Sequence, residues 1–343
     1  MADSNGGGGD SKRSRVLKKI GTHSGSFHCD EALACFLLRT LPEYKDAEIC
    51  RTRDPKMLDT CDIVVDVGGV YDPSKHRYDH HQRSFKETMN SLRPETPWTT
   101  KLSSAGLVYL HFGEEIIANA LKIDNTDDKV STLYNKMYEN FVEEIDAIDN
   151  GVSQTEEKPK YVISSHLSSR VKHLNPAWNQ PDADPWEGFQ KAMALTGEEF
   201  LLRLNFYNDS WWPAREIVET ALKQRFEVDS SGEIMVLPQG GCPWKEHLYD
   251  LEKTLNVETP IKYVLYSDQS DKWRIQCVSV DSHSFENRLS LPEKWRGVRD
   301  AELSEVSGIP GCIFVHATGF IGGNETHEGV LQMARTSLTM GKQ

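Results

Sequence analysis

Residues 15–41 read RVLKKIGTHSGSFHCDEALACFLLRTL, and their order decides the fold. The first nine, Arg15 to His23, have the composition of a strand. From His28 to Leu41 the chain is almost continuously apolar behind Asp30 and Glu31, the pattern of a buried helix with acids in its first turn. Two more strands follow in AEICRTR (47–53) and CDIVVDV (61–67), the latter apolar enough for the centre of a parallel sheet. A long polar loop is expected over Gly68 to Lys101. Helices are expected in SSAGLVYLHFGEEIIANAL (103–121) and VSTLYNKMYENFVEEIDAIDN (130–150), the second closed by Gly151. Strand and helix alternate, which predicts a doubly wound, mainly parallel α/β domain.

Farther along, 184–226 reads as helical with an interruption at WWPARE (211–216), where the tryptophans are expected to pack between domains. DSSGE (229–233) is the best boundary, and shorter strands follow in IMVLP, IKYVLYS, WRIQCVSV and CIFVHAT. The expected organisation is a flexible Gly-rich tail at 1–14, a first domain with a helical linker over 15–230, and a smaller α+β domain over 231–343, facing the first across a cleft.

The length of 343 residues suits two domains, and a net charge of −13 argues against a broad basic face for duplex DNA. No apolar run is long enough to span a membrane. The seven cysteines are scattered and form no C-x₂₋₄-C pair, which points away from structural zinc and secretory disulfides and toward an intracellular, reducing compartment. The segment KRSRVLKK (12–19) is either a weak nuclear signal or the basic start of a strand.

Metal-competent side chains fall where strands end: His23, His28 and Asp30 after the first strand, Asp66 at the end of the third, Asp79, His80 and His81 in the loop beyond, and Asp146 and Asp149 near a helix end. In an open α/β sheet these positions converge at the carboxyl edge. Turn chemistry explains the glycines after Asp66 but not an acid at an apolar strand end. Asp146 and Asp149 lie three apart beside Glu143 and Glu144, an unfavourable crowd near a helix C-terminus that a cation would relieve. Imidazole and carboxylate without thiolate suit Mn²⁺, Fe²⁺, Co²⁺ or Zn²⁺. So many groups exceed the needs of one ion, and two ions sharing a carboxylate imply hydrolysis or phosphoryl transfer.

The motifs His23-Ser-Gly-Ser-Phe-His28-Cys29-Asp30, Asp66, Asp79-His80-His81 and Asp149 or Asp146 resemble those of the DHH phosphoesterase superfamily, which includes RecJ-like exonucleases. GTHSGSFHCDEALA, VVDVGGVYDPSKHRYDHHQRSF and ATGFIGGNETHEGVLQMA are similar to the melanocyte proliferating gene (Myg-type) exonuclease family, over nearly the whole chain after the tail. The resemblance implies a metal-dependent 3′–5′ exoribonuclease of nucleus and mitochondrion that acts on single-stranded RNA or a nucleotide, with two divalent ions, Mn²⁺ first and Mg²⁺, Co²⁺ or Zn²⁺ as alternatives. It implies that Asp66 bridges the ions, that Asp30, His80 and Asp149 complete one and His23 with His28 the other. His81 would then face the substrate phosphate, with Asp79 orienting a histidine. His28 departs from the superfamily pattern by standing where a carboxylate usually does.

For the substrate, CIFVHATGFIGGNETHEGVLQMA reads as strand, Gly-rich loop and a helix capped by Thr326 or Asn324. The resemblance lifts His316, Gly322, Gly323 and Asn324 as contacts. Arg170, Lys172 and His173, and Arg288, Lys294 and Arg296 with Trp295 as a stacking platform, are the basic and aromatic candidates for a single strand. Two other readings compete: a pyrophosphatase or small-nucleotide phosphatase, and a non-catalytic RNA- or protein-binding module.

Overall fold

A computed structural model describes residues 17–180, 182–282 and 284–341. The tail at 1–14 and most of KRSRVLKK lie outside the described residues. Two compact units divide between Asn205 and Phe206.

The first unit is built on a five-stranded sheet of β1 (Lys19–Thr22), β2 (Glu48–Arg51), β3 (Ile63–Val65), β4 (Tyr71–Asp72) and β5 (Arg77–Tyr78), in the order β2-β1-β3-β5-β4. Strands β1, β2, β3 and β5 run parallel; β4 alone is antiparallel, paired with β5. The helix Cys29–Thr40 has its expected apolar character. Leu33, Leu37 and Leu38 are fully buried, each contributing roughly 1.5–3 kcal/mol, and it packs along the helix Ser104–Leu121. On another surface Leu58, Cys61, Val64 and Val67 form a smaller apolar cluster.

The polar stretch from Gly68 to Lys101 is not one loop. It contains β4, β5 and the short helix Met89–Leu92. Two-residue strands are too short to show a period of two, so their only sign is their pairing: Val64 lies opposite Arg77 and Val65 opposite Tyr78. The consequence is functional, because Asp79 then starts at the carboxyl end of a parallel strand. The expected helix over 130–150 is interrupted by a π-helical turn, Tyr138–Val142, between Asp128–Met137 and Glu143–Asp149.

The second unit carries β6 (Ile234–Leu237), β7 (Tyr263–Ser267), β8 (Trp273–Cys277), β9 (Cys312–Val315) and β10 (Ile321–Asn324), in the order β6-β7-β8-β10-β9. Only β6 and β7 are parallel. Tyr263 and Leu265 enter one apolar cluster and Val264 the other, the alternation expected of a strand covered on both faces. The interruption at WWPARE is a second π-helical turn, Tyr207–Trp211, with Pro213 in the first turn of the helix that follows. Trp211 packs against His247 inside this unit.

Two readings of the second unit change. The Gly-rich segment is a strand, β10, not a loop. Glycine lowers strand propensity, which hid it, but these glycines serve close packing: a Cβ on Gly323 would lie 2.7 Å from Nη1 of Arg274. Trp295 is 2% exposed, in the apolar cluster with Leu291 and Leu303, and offers no stacking platform.

Candidate metal centre

The carboxyl ends of β1, β3 and β5 place His23, Asp66 and Asp79-His80-His81 together, as parallel pairing requires. Asp66 sits at φ +59°. A non-glycine residue in the left-handed region is held there by its surroundings, and such strain collects at functional sites. Its Oδ2 lies 3.3 Å from Nε2 of His23 and its Oδ1 3.1 Å from Nε2 of His80, so one carboxylate faces two imidazoles on opposite oxygens. His80 Nε2 also lies 3.3 Å from Asp149 and 3.8 Å from Asp30. His23 Nε2 lies 2.8 Å from Oε1 of Glu31.

One donor atom each from His23, His28, Glu31 and Asp66 falls within 4.8 Å of the others. The same holds for Asp66, His80 and His81, and for His28, Asp30 and Asp149. Glu31 is the member that sequence reasoning missed. Its place in the first helical turn had an adequate explanation in the helix dipole, and only its neighbour Asp30, in an otherwise apolar helix, hinted at more. Glu31 also accepts the His28 N–H, at 2.9 and 3.0 Å.

The two acids near the helix end part company. Asp146 is fully buried and accepts hydrogen bonds from Ser103 N–H, Ser103 Oγ, Gly106 N–H and the Tyr138 hydroxyl, at 2.7–3.1 Å. It caps the N-terminus of the helix Ser104–Leu121, where an anion is favoured. Gly106 permits this, since a Cβ there would meet the carboxylate at 2.3 Å. Asp149 instead turns toward His80 and Asp30. Asp30 accepts from the Ser104 hydroxyl at 2.8 Å through Oδ2, while its Oδ1 is buried without a protein partner.

Asp79 accepts from Gly69 N–H at 2.6 Å with one oxygen and from Nδ1 of His81 at 2.8 Å with the other. The His81 ring itself is largely exposed. The loop between His23 and His28 is pinned by Asn175, whose side-chain amide accepts the Phe27 N–H at 2.9 Å and donates to the Phe27 carbonyl at 2.8 Å.

Burial shapes the electrostatics. It pushes Glu31 and Asp149 up to about 8 and raises Asp30, with the neighbouring acids adding to the shift. Burial opposes protonation of His23 and His80, but Asp66 with Glu31 lifts the first to about 10, and Asp66 with Asp30 lifts the second to about 9. Asp66 itself is desolvated yet held well below the usual carboxylate range by the two imidazoles. Burial takes Asp146 to about 7 despite the hydrogen bonds from Ser103 and Tyr138. Packed carboxylates that retain protons in this way are a good match for a divalent cation, which would displace those protons. The unpartnered Asp30 oxygen and the all-imidazole and carboxylate donors fit the same group. Cys29, beside His28, is buried with its thiol pushed up by desolvation.

Arg170 pairs with Glu199 at 2.8 Å, and His173 ends the helix Leu167–Lys172 on the surface. His316 is exposed, its Nδ1 3.0 Å from the Thr318 hydroxyl. Gly322 and Gly323 are buried in β10. Asn324 is fully buried, donating to the Pro310 carbonyl at 2.9 Å and accepting from Thr326 N–H at 3.0 Å. Thr326 caps the following helix by accepting the Gly329 N–H. Arg288 is held by Glu252, and Arg296 donates to the Leu291 carbonyl.

An α/β unit whose parallel strand ends and adjoining helices gather four histidines and four acids defines the class: a candidate metalloprotein with its centre at the sheet edge. Residues 19–338 match the MYG1 exonuclease family, described as an uncharacterised protein family (UPF0160), and the chain belongs to that family. It is 64% identical over 329 residues to a human protein named MYG1 exonuclease, covering 95% of this chain and 88% of the relative. A rat protein of the same name is 64% identical over 321 residues, 93% of this chain and 84% of the relative. A Dictyostelium discoideum MYG1 protein is 50% identical over 323 residues, 93% and 96% of the two chains. No solved structure matches. Among the described residues no helix is long and apolar enough to cross a membrane.

Proposed function

We propose that the protein is a divalent-cation-dependent phosphodiesterase, a 3′–5′ exonuclease on single-stranded RNA, working in the nucleus or mitochondrion through a DHH-like, doubly wound first domain. The mammalian relatives' name supports exonuclease activity. The observation that carries the reading is Asp66, with His23 on one carboxylate oxygen and His80 on the other. His23, His28, Glu31 and Asp66 would hold one cation and Asp30, Asp66, His80 and Asp149 a second, Mn²⁺ before Mg²⁺, Co²⁺ or Zn²⁺. Bound cations supply Lewis acidity toward phosphate oxygens and an acidified water.

The chain's own residues do the rest. Asp79 accepts a hydrogen bond from Nδ1–H of His81 and raises the pKa of that ring, so that the doubly protonated imidazole can give its Nε2 proton to a leaving oxygen. Gly69 N–H fixes Asp79 in turn. Asp146 belongs to the support: it sets the helix end from which Ser104 reaches Asp30. Arg170, His173 and His316 are proposed phosphate contacts, with Gly322, Gly323 and Asn324 shaping the strand that follows His316.

The test uses end-labelled single-stranded RNA, DNA of the same sequence and pyrophosphate, each across a metal series. Mn²⁺-dependent mononucleotide release from the RNA 3′ end is expected, falling by on the order of 100-fold in Asp66→Ala. Full activity in that variant, or turnover of pyrophosphate alone, would sink the proposal.

A further inference from the structure

Buried polar atoms nearly always find a partner, so each exception needs a reason. In the first unit the buried side-chain atoms without a protein partner are Thr22 Oγ1, Asp30 Oδ1, Arg51 Nε, His80 Nδ1, and both Nε2 and Oε1 of Gln82. Asp30 belongs to the centre described above. Gln82 does not, yet it has the largest deficit: a whole carboxamide with neither donor nor acceptor used. It directly follows Asp79-His80-His81. A turn opens at Gln82, whose carbonyl accepts the Phe85 N–H at 2.9 Å, and the Gln82 carboxamide and His80 Nδ1 are the buried, unpartnered groups on either side of His81.

His80 turns Nε2 to Asp66, Asp149 and Asp30. A cation there takes the Nε2 lone pair, so the ring proton must reside on Nδ1. That N–H then needs an acceptor, and Nδ1 is the other buried, unpartnered nitrogen on this segment. We propose that Gln82 is the positioning residue of His80: its carboxamide oxygen receives the Nδ1 proton across one internal water. This fixes the tautomer and rotation of the ring that faces the carboxylates. Gln82 touches neither cation nor substrate. The inference rests on the metal-centre reading of the same site.

The test compares full-length wild type, Gln82→Leu and Gln82→Glu by Mn²⁺ equilibrium dialysis and by thermal unfolding with and without Mn²⁺. Gln82→Leu is expected to lower Mn²⁺ affinity about tenfold or more. Its metal-free melting temperature should hold or rise, because an unsatisfied buried amide has been removed. Gln82→Glu should keep affinity within a few-fold of wild type, since a carboxylate accepts the same proton. Wild-type affinity in Gln82→Leu overturns the inference. So does loss of metal-free stability in step with affinity, which marks a packing role alone, or failure of Gln82→Glu to bind. A wild type that binds no Mn²⁺ removes the metal centre itself, a result distinct from the others.

Discussion

Both sheets have five strands, yet the first collects every close group of metal-competent side chains found among the described residues and the second has none. The difference follows from strand direction. In the first sheet β1, β3 and β5 are parallel, so the residues after them all emerge at one edge. In the second, β7, β8, β10 and β9 alternate, and successive ends leave at opposite edges. The second sheet spends its side chains on two apolar clusters instead. Convergence of ligands is thus a product of topology before it is one of residue choice.

Experiments can press on this contrast. The largest effect is expected from Trp295→Ala, at about 3–5 kcal/mol of stability for a fully buried indole. Denaturant unfolding should show the second unit weakened while Mn²⁺ binding persists. Loss of binding in the folded variant would break the separation of roles. Next come the two acids of one helix. Asp146→Ala should cost about 2–3 kcal/mol, because it strips the partners from Ser103, Gly106 and Tyr138, and should leave Mn²⁺ affinity within a few-fold. Asp149→Ala should do the reverse, cutting affinity about tenfold or more with little loss of stability. Calorimetry on both variants decides it, and equal losses would erase the distinction.

A further effect is graded with pH. Glu31 and Asp149 at about 8, His80 at about 9 and His23 at about 10 all hold protons at neutrality that a cation must displace. Affinity should therefore rise with pH between 6 and 8, by about tenfold per pH unit for each proton released. A flat titration would mean that neither the carboxylates nor the imidazoles hold a proton that the metal displaces.

Much of this was legible from residue order. The alternation from Arg15 to Val67 gave the parallel strands, and the positions of His23, Asp66 and Asp79-His80-His81 gave the edge at which they meet. Three things were hidden for physical reasons. Strands β4 and β5 are too short for any hydrophobic period. Glu31 was masked by the helix dipole, which explains an acid in a first turn equally well. Strand β10 was masked by glycines whose purpose, room for the Arg274 guanidinium, depends on a residue 49 positions away. Asp146 and Asp149 share one helix and one chemistry, and only the position of Ser103 tells them apart.

The Asn175 amide that grips Phe27 closes a loop of 148 residues. During synthesis the strands that carry His23, Asp66 and His80 leave the ribosome long before Asn175 does. A nascent chain can therefore pair those strands while the segment between His23 and His28 remains untethered. Loop-closure entropy grows only slowly with such lengths, so the delay lies in waiting for the residue to be made. The centre's first segment to be translated is among the last to be fastened, and a chain that stalls before Asn175 carries the ligands without the clamp that orders them.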